Sequence, residues 1–331
     1  MTSLRFTVDD NSNALKFQQL VDAIVDAISR NQIKEGEMLP SVNQIMKETG
    51  LSRDTVFKAY AELKKRGVVE SVPNRGYFVI RKITKVFLFL DTFKAYKEVL
   101  YDSFIKNLPG NIGVDLHFHH YNISLFEKII QESLGKYSKY VIMNFDNPKV
   151  AGIIQKIPAE QLLVIDWNIH TSEKYSVVYQ DFGEPVYRCL KENLDRISKF
   201  SEFTFYYPPF TYHPKNTIEH FLRFCKDYNM RHSVVYEEEK FVIRKGVLYF
   251  LVSDRTLASL LDQCSDKGFE PGKEVGVISY NETPMKKYVK NGITVISTDF
   301  KLMGKKAAEF ISGNKAVHFE VPTTLKIRSS L

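Results

Sequence analysis

The chain is poor in cysteine and tryptophan, with three Cys and one Trp in 331 residues. Cys189, Cys225 and Cys264 lie far apart and are odd in number. That excludes a disulfide framework and a cysteine metal cluster at finger spacing, and it fits a reducing compartment. Long apolar runs are missing, as is an apolar segment near Met1. No membrane-spanning helix, no secretory leader and a cytoplasmic location are therefore expected. A glycine-rich phosphate loop, a G-x-S-x-G elbow and an H-E-x-x-H helix are all absent. No enzymatic reaction, catalytic residue or cofactor is expected.

What is present is ordinary globular material, 44% hydrophobic and 26% charged, long enough for two or three domains. The net charge of +7 is unevenly spread. Residues 51–82 hold eight Lys or Arg against three Asp or Glu, whereas residues 1–50 hold five against seven. A local basic excess of this kind suits contact with phosphates.

That excess falls on the stretch Leu39 to Val79. Phe17, Leu20, Val21, Ile24, Val25 and Ile28 first predict a helix over Leu15 to Arg30. Ser41 with Gln44 three residues on reads as a capping box opening a second helix, which Gly50 ends. Ser52 caps a third, with Val56, Ala59, Tyr60 and Leu63 on its core face. Its other face carries Arg53, Thr55, Lys58, Lys64, Lys65 and Arg66. Strands over Val68 to Val72 and Tyr77 to Val79 flank Pro73 to Gly76. Helix, turn, helix and hairpin make a winged helix-turn-helix, whose second motif helix enters the major groove. The plainer alternative is a helical hairpin with a solvated basic face.

Phe17 to Val79 resembles the DNA-binding domain of the GntR family of bacterial regulators. Ile33, Gly36, Leu39-Pro40-Ser41, Ser52-Arg53, Thr55-Val56, Ala59-Tyr60, Leu63, Gly67 and Gly76 carry the resemblance. It implies DNA contacts from Ser41 and Asn43, from Ser52, Arg53, Thr55 and Phe57, and from Asn74, Arg75 and Gly76. Asn43 and Phe57 stand where many members have arginine, so a different base preference is implied and Lys58 is expected to take a phosphate. Phe57 is either DNA-facing or core.

Residues 1–80 are thus expected to form the reading head, 81–84 a linker and 85–331 a second domain. Beyond Lys85, strand-like runs alternate with helical ones: Val86 to Leu90, Val114 to Phe118, Tyr140 to Asn144, Leu162 to Ile165, Ser176 to Gln180, and onward. The expected fold is α/β, with parallel sheets covered on both faces. Polar residues cluster just past strand ends, where such sheets bind ligands: Asp91, His119, Asp166, Asp254 and Glu282. One long helix is predicted over Phe182 to Ile197, and another over Leu257 to Gly268.

The segments PGKEVGVISYNETP, GITVISTDFKLMGKKAAEFI and VPTTLKIRSSL resemble the end of the LacI-family sensor domain. The resemblance is good from about Val247 and faint before it. It implies a type I periplasmic-binding-protein-like fold of two lobes joined by three crossovers. The combination with a GntR-type head resembles the arabinose-repressor group. Asp166, Asp254 with Ser253, and Glu282 are then expected on effector hydroxyls. His220 stands at a position that is commonly arginine. Trp167 either stacks on a sugar ring or is core, and each acid is either a ligand contact or a strand-end cap. His117, His119 and His120 form an H-x-H-H run; a metal would need a further ligand from elsewhere, so no metal site is expected.

The expected function is a cytoplasmic, homodimeric repressor on a pseudo-palindromic operator, released by a monosaccharide such as arabinose or fucose. Alternatives are an effector that is not a sugar or acts as co-repressor, a sugar-binding protein without regulatory role, and an enzyme fused to a DNA reader.

Overall fold

The computed structural model describes residues 6–9, 12, 14–30, 32–34, 36–73, 75–79, 85–109, 112–168, 175–313 and 316–331. Asn74 and the expected linker 81–84 lie outside the described residues. The head starts with α1 (Lys16–Ser29), where Leu20, Val21 and Ile24 are fully buried, as a 3.6-residue stripe requires. Next come α2 (Val42–Thr49) and α3 (Arg53–Lys65), then β1 (Val69–Val72) paired antiparallel with β2 (Gly76–Val79). Ser41 Oγ accepts from the Gln44 amide at 3.2 Å, but the Gln44 side chain turns forward to Glu48 at 3.1 Å. The expected capping box is therefore closed on one side only. Gly50, at φ +71°, stops α2.

Val56, Ala59, Tyr60 and Leu63 are buried, and Val56 and Leu63 each contribute about 1.5–3 kcal/mol. The Tyr60 hydroxyl donates to the Pro40 carbonyl at 2.5 Å, and its ring meets Tyr77 edge-on at 4.7 Å. One side chain so ties α3 to the entry of α2 and to the wing. Backbone bonds from Gly36 to Val79 and from Leu39 to Tyr77, both 2.8 Å, add the 36–39 segment to β2. Arg66, expected on the basic face, instead bonds Glu62 at 2.9 Å and Gln18 at 3.3 Å.

The remaining elements are β3 (Lys85–Leu90), α4 (Ala95–Lys106), β4 (Gly113–Phe118), α5 (Ile123–Ser133), β5 (Lys139–Met143), α6 (Val150–Ile154), β6 (Leu162–Trp167), β7 (Ser176–Gln180), α7 (Glu184–Lys191), α8 (Leu194–Ile197), β8 (Glu202–Tyr206), α9 (Asn216–Asp227), β9 (His232–Val235), β10 (Val247–Leu251), α10 (Asp254–Lys267), β11 (Gly276–Tyr280), β12 (Thr294–Thr298), α11 (Phe300–Ser312), β13 (His318–Glu320) and β14 (Thr323–Lys326). They build two six-stranded sheets, ordered β13-β7-β6-β5-β3-β4 and β14-β12-β11-β10-β8-β9. β3 pairs in parallel with β4 and β5; β10 pairs in parallel with β8 and β11; β14 runs antiparallel to β12. All of β10 is buried, the mark of a strand covered on both faces. The chain passes from sheet to sheet three times, after β7, after α11 and after β13.

By packing, the chain divides into two compact units. The first comprises Met1–Thr92, Pro109–Leu163 and Glu173–Tyr175; the second comprises Phe93–Leu108, Val164–Ser172 and Ser176–Leu331. Within the first, the turn after α5 approaches α1 closely: a Cβ on Gly135, at φ +72°, would stand 2.5 Å from Val25 Cγ1. Within the second, α4 and α11 meet backbone to backbone, for a Cβ on Gly304 would stand 2.3 Å from the Leu100 carbonyl oxygen.

Two expectations are corrected. The single helix over Phe182 to Ile197 is two, α7 and α8. Gly183, the second residue of that expected span, is non-helical, and the Asn193 side chain donates to the Cys189 carbonyl at the break, at 2.8 Å. The helix expected from Leu257 begins at Asp254, because Ser253 caps it by accepting from the Arg255 amide at 3.2 Å.

Candidate DNA-reading face and effector site

The start of α3 presents Ser52, Arg53, Phe57 and Lys58 to solvent. Ser52 Oγ accepts from the Thr55 amide at 3.3 Å, which satisfies an end donor, and pairs with the Thr55 hydroxyl at 2.8 Å. Thr55 is half-buried. Phe57 is 41% exposed, with the Arg53 guanidinium 5.6 Å from its ring centre. The ring is therefore outside the core and lies under the Arg53 guanidinium. Ser41 and Asn43 are exposed at the start of α2. Arg75 and Gly76 are exposed at the wing tip, where Gly76 takes φ +115°.

Most expected effector residues of the second unit gather at strand ends. Asp166 lies inside β6 at φ +75°, a region non-glycine side chains avoid and functional sites tolerate. The Gln180 carbonyl oxygen accepts from the Tyr280 hydroxyl at 3.3 Å and the Thr298 hydroxyl at 2.6 Å, leaving its Nε2 to donate to Asp166. Thr298 having given its proton to Gln180, Thr323 donates to Thr298, at 2.7 Å. Lys97 is fully buried on α4, and burial pulls its ammonium down to about 7 while the Asp166 carboxylate opposes that fall. Burial pushes Asp166 up against Lys97 and Gln180.

An aromatic wall stands beside this pair. Trp167 lies 6.0 Å from Phe182, Phe182 stacks on Tyr280 at 6.4 Å, and His213 meets Tyr280 edge-on at 4.5 Å. The Thr217 hydroxyl donates to the Phe182 carbonyl at 2.8 Å, so His213 Nε2 carries the proton in its 2.7 Å bond to Thr217. Burial, then the charge of Lys94, lowers His213 to about 3. Burial, then the charges of Asp166 and Asp254, raises the Tyr96 phenol. Asp254 pairs with buried Lys286 at 2.8 Å; the same ammonium donates to the carbonyls of Tyr280 and Asn281 at 3.1 and 2.7 Å.

Other expected residues are placed differently. Glu282 is held by the Arg328 guanidinium, Nη1 at 3.2 Å, with Lys326 at 3.7 Å. His220 sits between α7 and α9, its Nδ1 bonded to the Asn216 carbonyl at 2.9 Å and its Nε2 3.7 Å from Glu184. Asp91 and His119 belong to the first unit. Asp91 accepts from the Thr92 amide and the Tyr121 hydroxyl. His119 is fully buried, with Nε2 on the Met143 carbonyl at 3.0 Å and Nδ1 accepting from the Tyr121 amide at 3.2 Å. Among the described residues no three His, Cys, Asp or Glu side chains are grouped as a metal site, and no helix is long and apolar enough to cross a membrane.

Lys97, Gln180, His213, Tyr280 and Lys286 were missed. Lys97 had a signal: it shares the i, i+3, i+7 stripe of Leu100 and Phe104, where a charge is out of place. Gln180 ends a strand as the chosen acids do.

A winged head ahead of two sheets joined by three passages defines the class: a helix-turn-helix reader with a two-lobed, periplasmic-binding-protein-like α/β body. Residues 16–79 match the family described as bacterial regulatory proteins, gntR family, and residues 199–331 match the periplasmic binding protein-like domain. The second match starts well before Val247, where the resemblance was expected to fade. Over 70 residues, 21% of this chain, the sequence is 34% identical to the uncharacterized HTH-type transcriptional regulator YcxD of Bacillus subtilis. The chain spans only 16% of that relative's length. The fold is similar to the trehalose repressor from Escherichia coli, with TM-score 0.62, 12% identity, and 73% of this chain and 100% of that one covered. It is similar also to the Lac repressor bound to ONPG, with TM-score 0.63, 12% identity, and 93% and 95% covered. The chain carries a GntR-type helix-turn-helix domain over residues 16–79 and a periplasmic-binding-protein-like domain over residues 199–331.

Proposed function

We propose that this chain is a sequence-specific DNA-binding transcription regulator, a cytoplasmic homodimeric repressor released from its operator by a small sugar. The observation that carries the reading is one chain holding both an exposed reading face on α3 and, at strand ends, a set of hydroxyl-seeking side chains that includes half-buried Asp166 and buried Gln180. Arg53, Asn43, Phe57 and Arg75 reach base edges, while Lys58 and the hydroxyls of Ser41, Ser52 and Thr55 position the backbone. Gly76 lets the wing approach closely. Asp166 and Asp254, with the Gln180 amide and Ser253, suit sugar hydroxyls, and Trp167 suits a sugar's C–H face. Support comes from the structural neighbours, one named for trehalose and another a CelR–cellobiose complex. A pentose such as arabinose, or a 6-deoxyhexose such as fucose, is the sugar that the resemblance to the arabinose-repressor group suggests.

Release works only if the sugar prefers one state of the protein. A 100-fold loss of operator affinity needs about 2.7 kcal/mol of coupling, an ordinary magnitude. The test is a thermal-shift screen of free sugars followed by duplex binding with and without the active one. One sugar should raise the melting temperature and weaken the duplex complex. A sugar that stabilises the protein but leaves duplex binding untouched would overturn the regulatory reading.

A further inference from the structure

Among the described residues the reading head has four arginines, and they are held in two different ways. Arg30 bonds the Asp26 carboxylate at 2.9 Å and Arg66 bonds that of Glu62 at 2.9 Å. The other two lie over phenylalanine rings. The Arg53 guanidinium is 5.6 Å from the centre of the Phe57 ring, and that of Arg75 is 5.4 Å from the centre of the Phe78 ring. Arg53 and Arg75 are the pair assigned above to base edges. The two kinds of partner differ chemically. A carboxylate occupies N–H donors and offsets the charge that draws the head to phosphates. A phenyl face attracts the cation through its quadrupole and restrains a long side chain, yet it leaves the donors in the guanidinium plane open to a base.

The place of Phe78 is not explained by core packing. Side chains alternate along β2. Tyr77 and Val79 turn toward the core of the head, whereas Phe78, between them, is half-buried and outside that core. Its backbone is held from both sides, opposite Glu70 on β1 and opposite Met38. The Arg75 amide donates to the Val72 carbonyl at 3.0 Å, which closes the turn at the wing tip. A ring on a strand fixed at both edges, three residues after the tip arginine, is a rigid rest for that arginine's head group.

We infer that Phe78 is a positioning residue for DNA reading, its ring holding the Arg75 guanidinium ready for a base edge as Phe57 holds that of Arg53. The role rests on the DNA-reading function proposed above. It adds a residue that neither the basic face of α3 nor the family resemblance pointed to.

The experiment uses the full chain. The wild type first selects a duplex from a random pool, and that duplex, with copies changed at single base pairs, is the probe. Phe78→Leu, Phe78→Tyr, Arg75→Ala and the double variant Arg75→Ala, Phe78→Leu are titrated against it. Phe78→Leu removes the π face and keeps every charge. It should weaken binding about two- to fivefold, the value of an exposed cation–π contact, and reduce discrimination at the base pairs to which Arg75→Ala is sensitive. Its salt dependence should match the wild type, because no phosphate contact is lost. Phe78→Tyr keeps the ring and should bind as the wild type does. With Arg75 already alanine, Phe78→Leu should cost nothing further. Should the leucine chain fail to fold, Phe78→Met supplies the same comparison. An equal loss from Phe78→Leu in both backgrounds, wild-type binding by Phe78→Leu, or wild-type binding by Arg75→Ala overturns the inference and leaves the DNA-reading function standing. If the wild type selects no duplex, that function falls and takes the positioning role with it.

Discussion

The front of α3 and the strand-end site of the second unit use polar side chains in opposite ways. On α3, Ser52, Arg53 and Lys58 are exposed, lie within seven residues, and stand on a helix whose far side is core. In the second unit, Lys97, Gln180 and Lys286 are each at most 3% exposed and come from distant points of the chain. Gln180 and Lys97 already face Asp166, and Lys286 already pairs with Asp254. A surface reader is an add-on to a stable element; a buried polar site is part of the packing. Substitutions on the first should change binding alone, and substitutions in the second should change binding and stability together.

The largest expected effect is on the reader. Arg53→Ala should weaken operator binding about 10–100-fold, the cost of a base contact, with melting temperature and sugar response unchanged. Electrophoretic shift and thermal melting together check this, and a drop in stability would break the contrast. Next is Asp254→Asn, which leaves the buried Lys286 ammonium without its carboxylate. Because Asp254 is 55% exposed on its side chain, the full cost of a broken buried pair is discounted to about 1–2 kcal/mol, read by denaturant titration. Sugar affinity should fall with it.

A third effect is nil at neutral pH and grows in acid. His213 is lowered from 6.5 to about 3, so the unfolded chain binds its proton first. Its contribution is complete above pH 6.5 and is lost as pH falls toward about 3. In His213→Gln that part of the acid loss should vanish, which melting curves between pH 7 and 4 would reveal. The smallest is His220→Ala. With the ring bonded to Asn216 and next to Glu184, sugar affinity should move less than about twofold by titration calorimetry.

The same contrast explains what was legible in the sequence. Ser41, Ser52, Gly50 and the Val56–Leu63 stripe are local signals, and each reports the backbone within one helical turn of itself. The alternation of strands and helices was legible for the same reason. The aromatic wall of Trp167, Phe182, His213 and Tyr280 is assembled by sheet order and loops, which no spacing encodes. Glu282 shows the converse failure. It occupies a strand end as expected, yet Arg328, far along the chain, already holds its carboxylate. A strand-end acid announces a position, and only the fold tells what it faces.

The most direct measurement is selection of duplexes from a random pool by the full-length protein, with the winners then titrated against salt and against the stabilising sugar. Enrichment of a two-fold-related site, affinity falling steeply with salt as several phosphate contacts require, and release by the sugar are the expected results. A pool that emerges as random as it entered would contradict the assignment of α3 as a reader, and with it the function proposed for the chain.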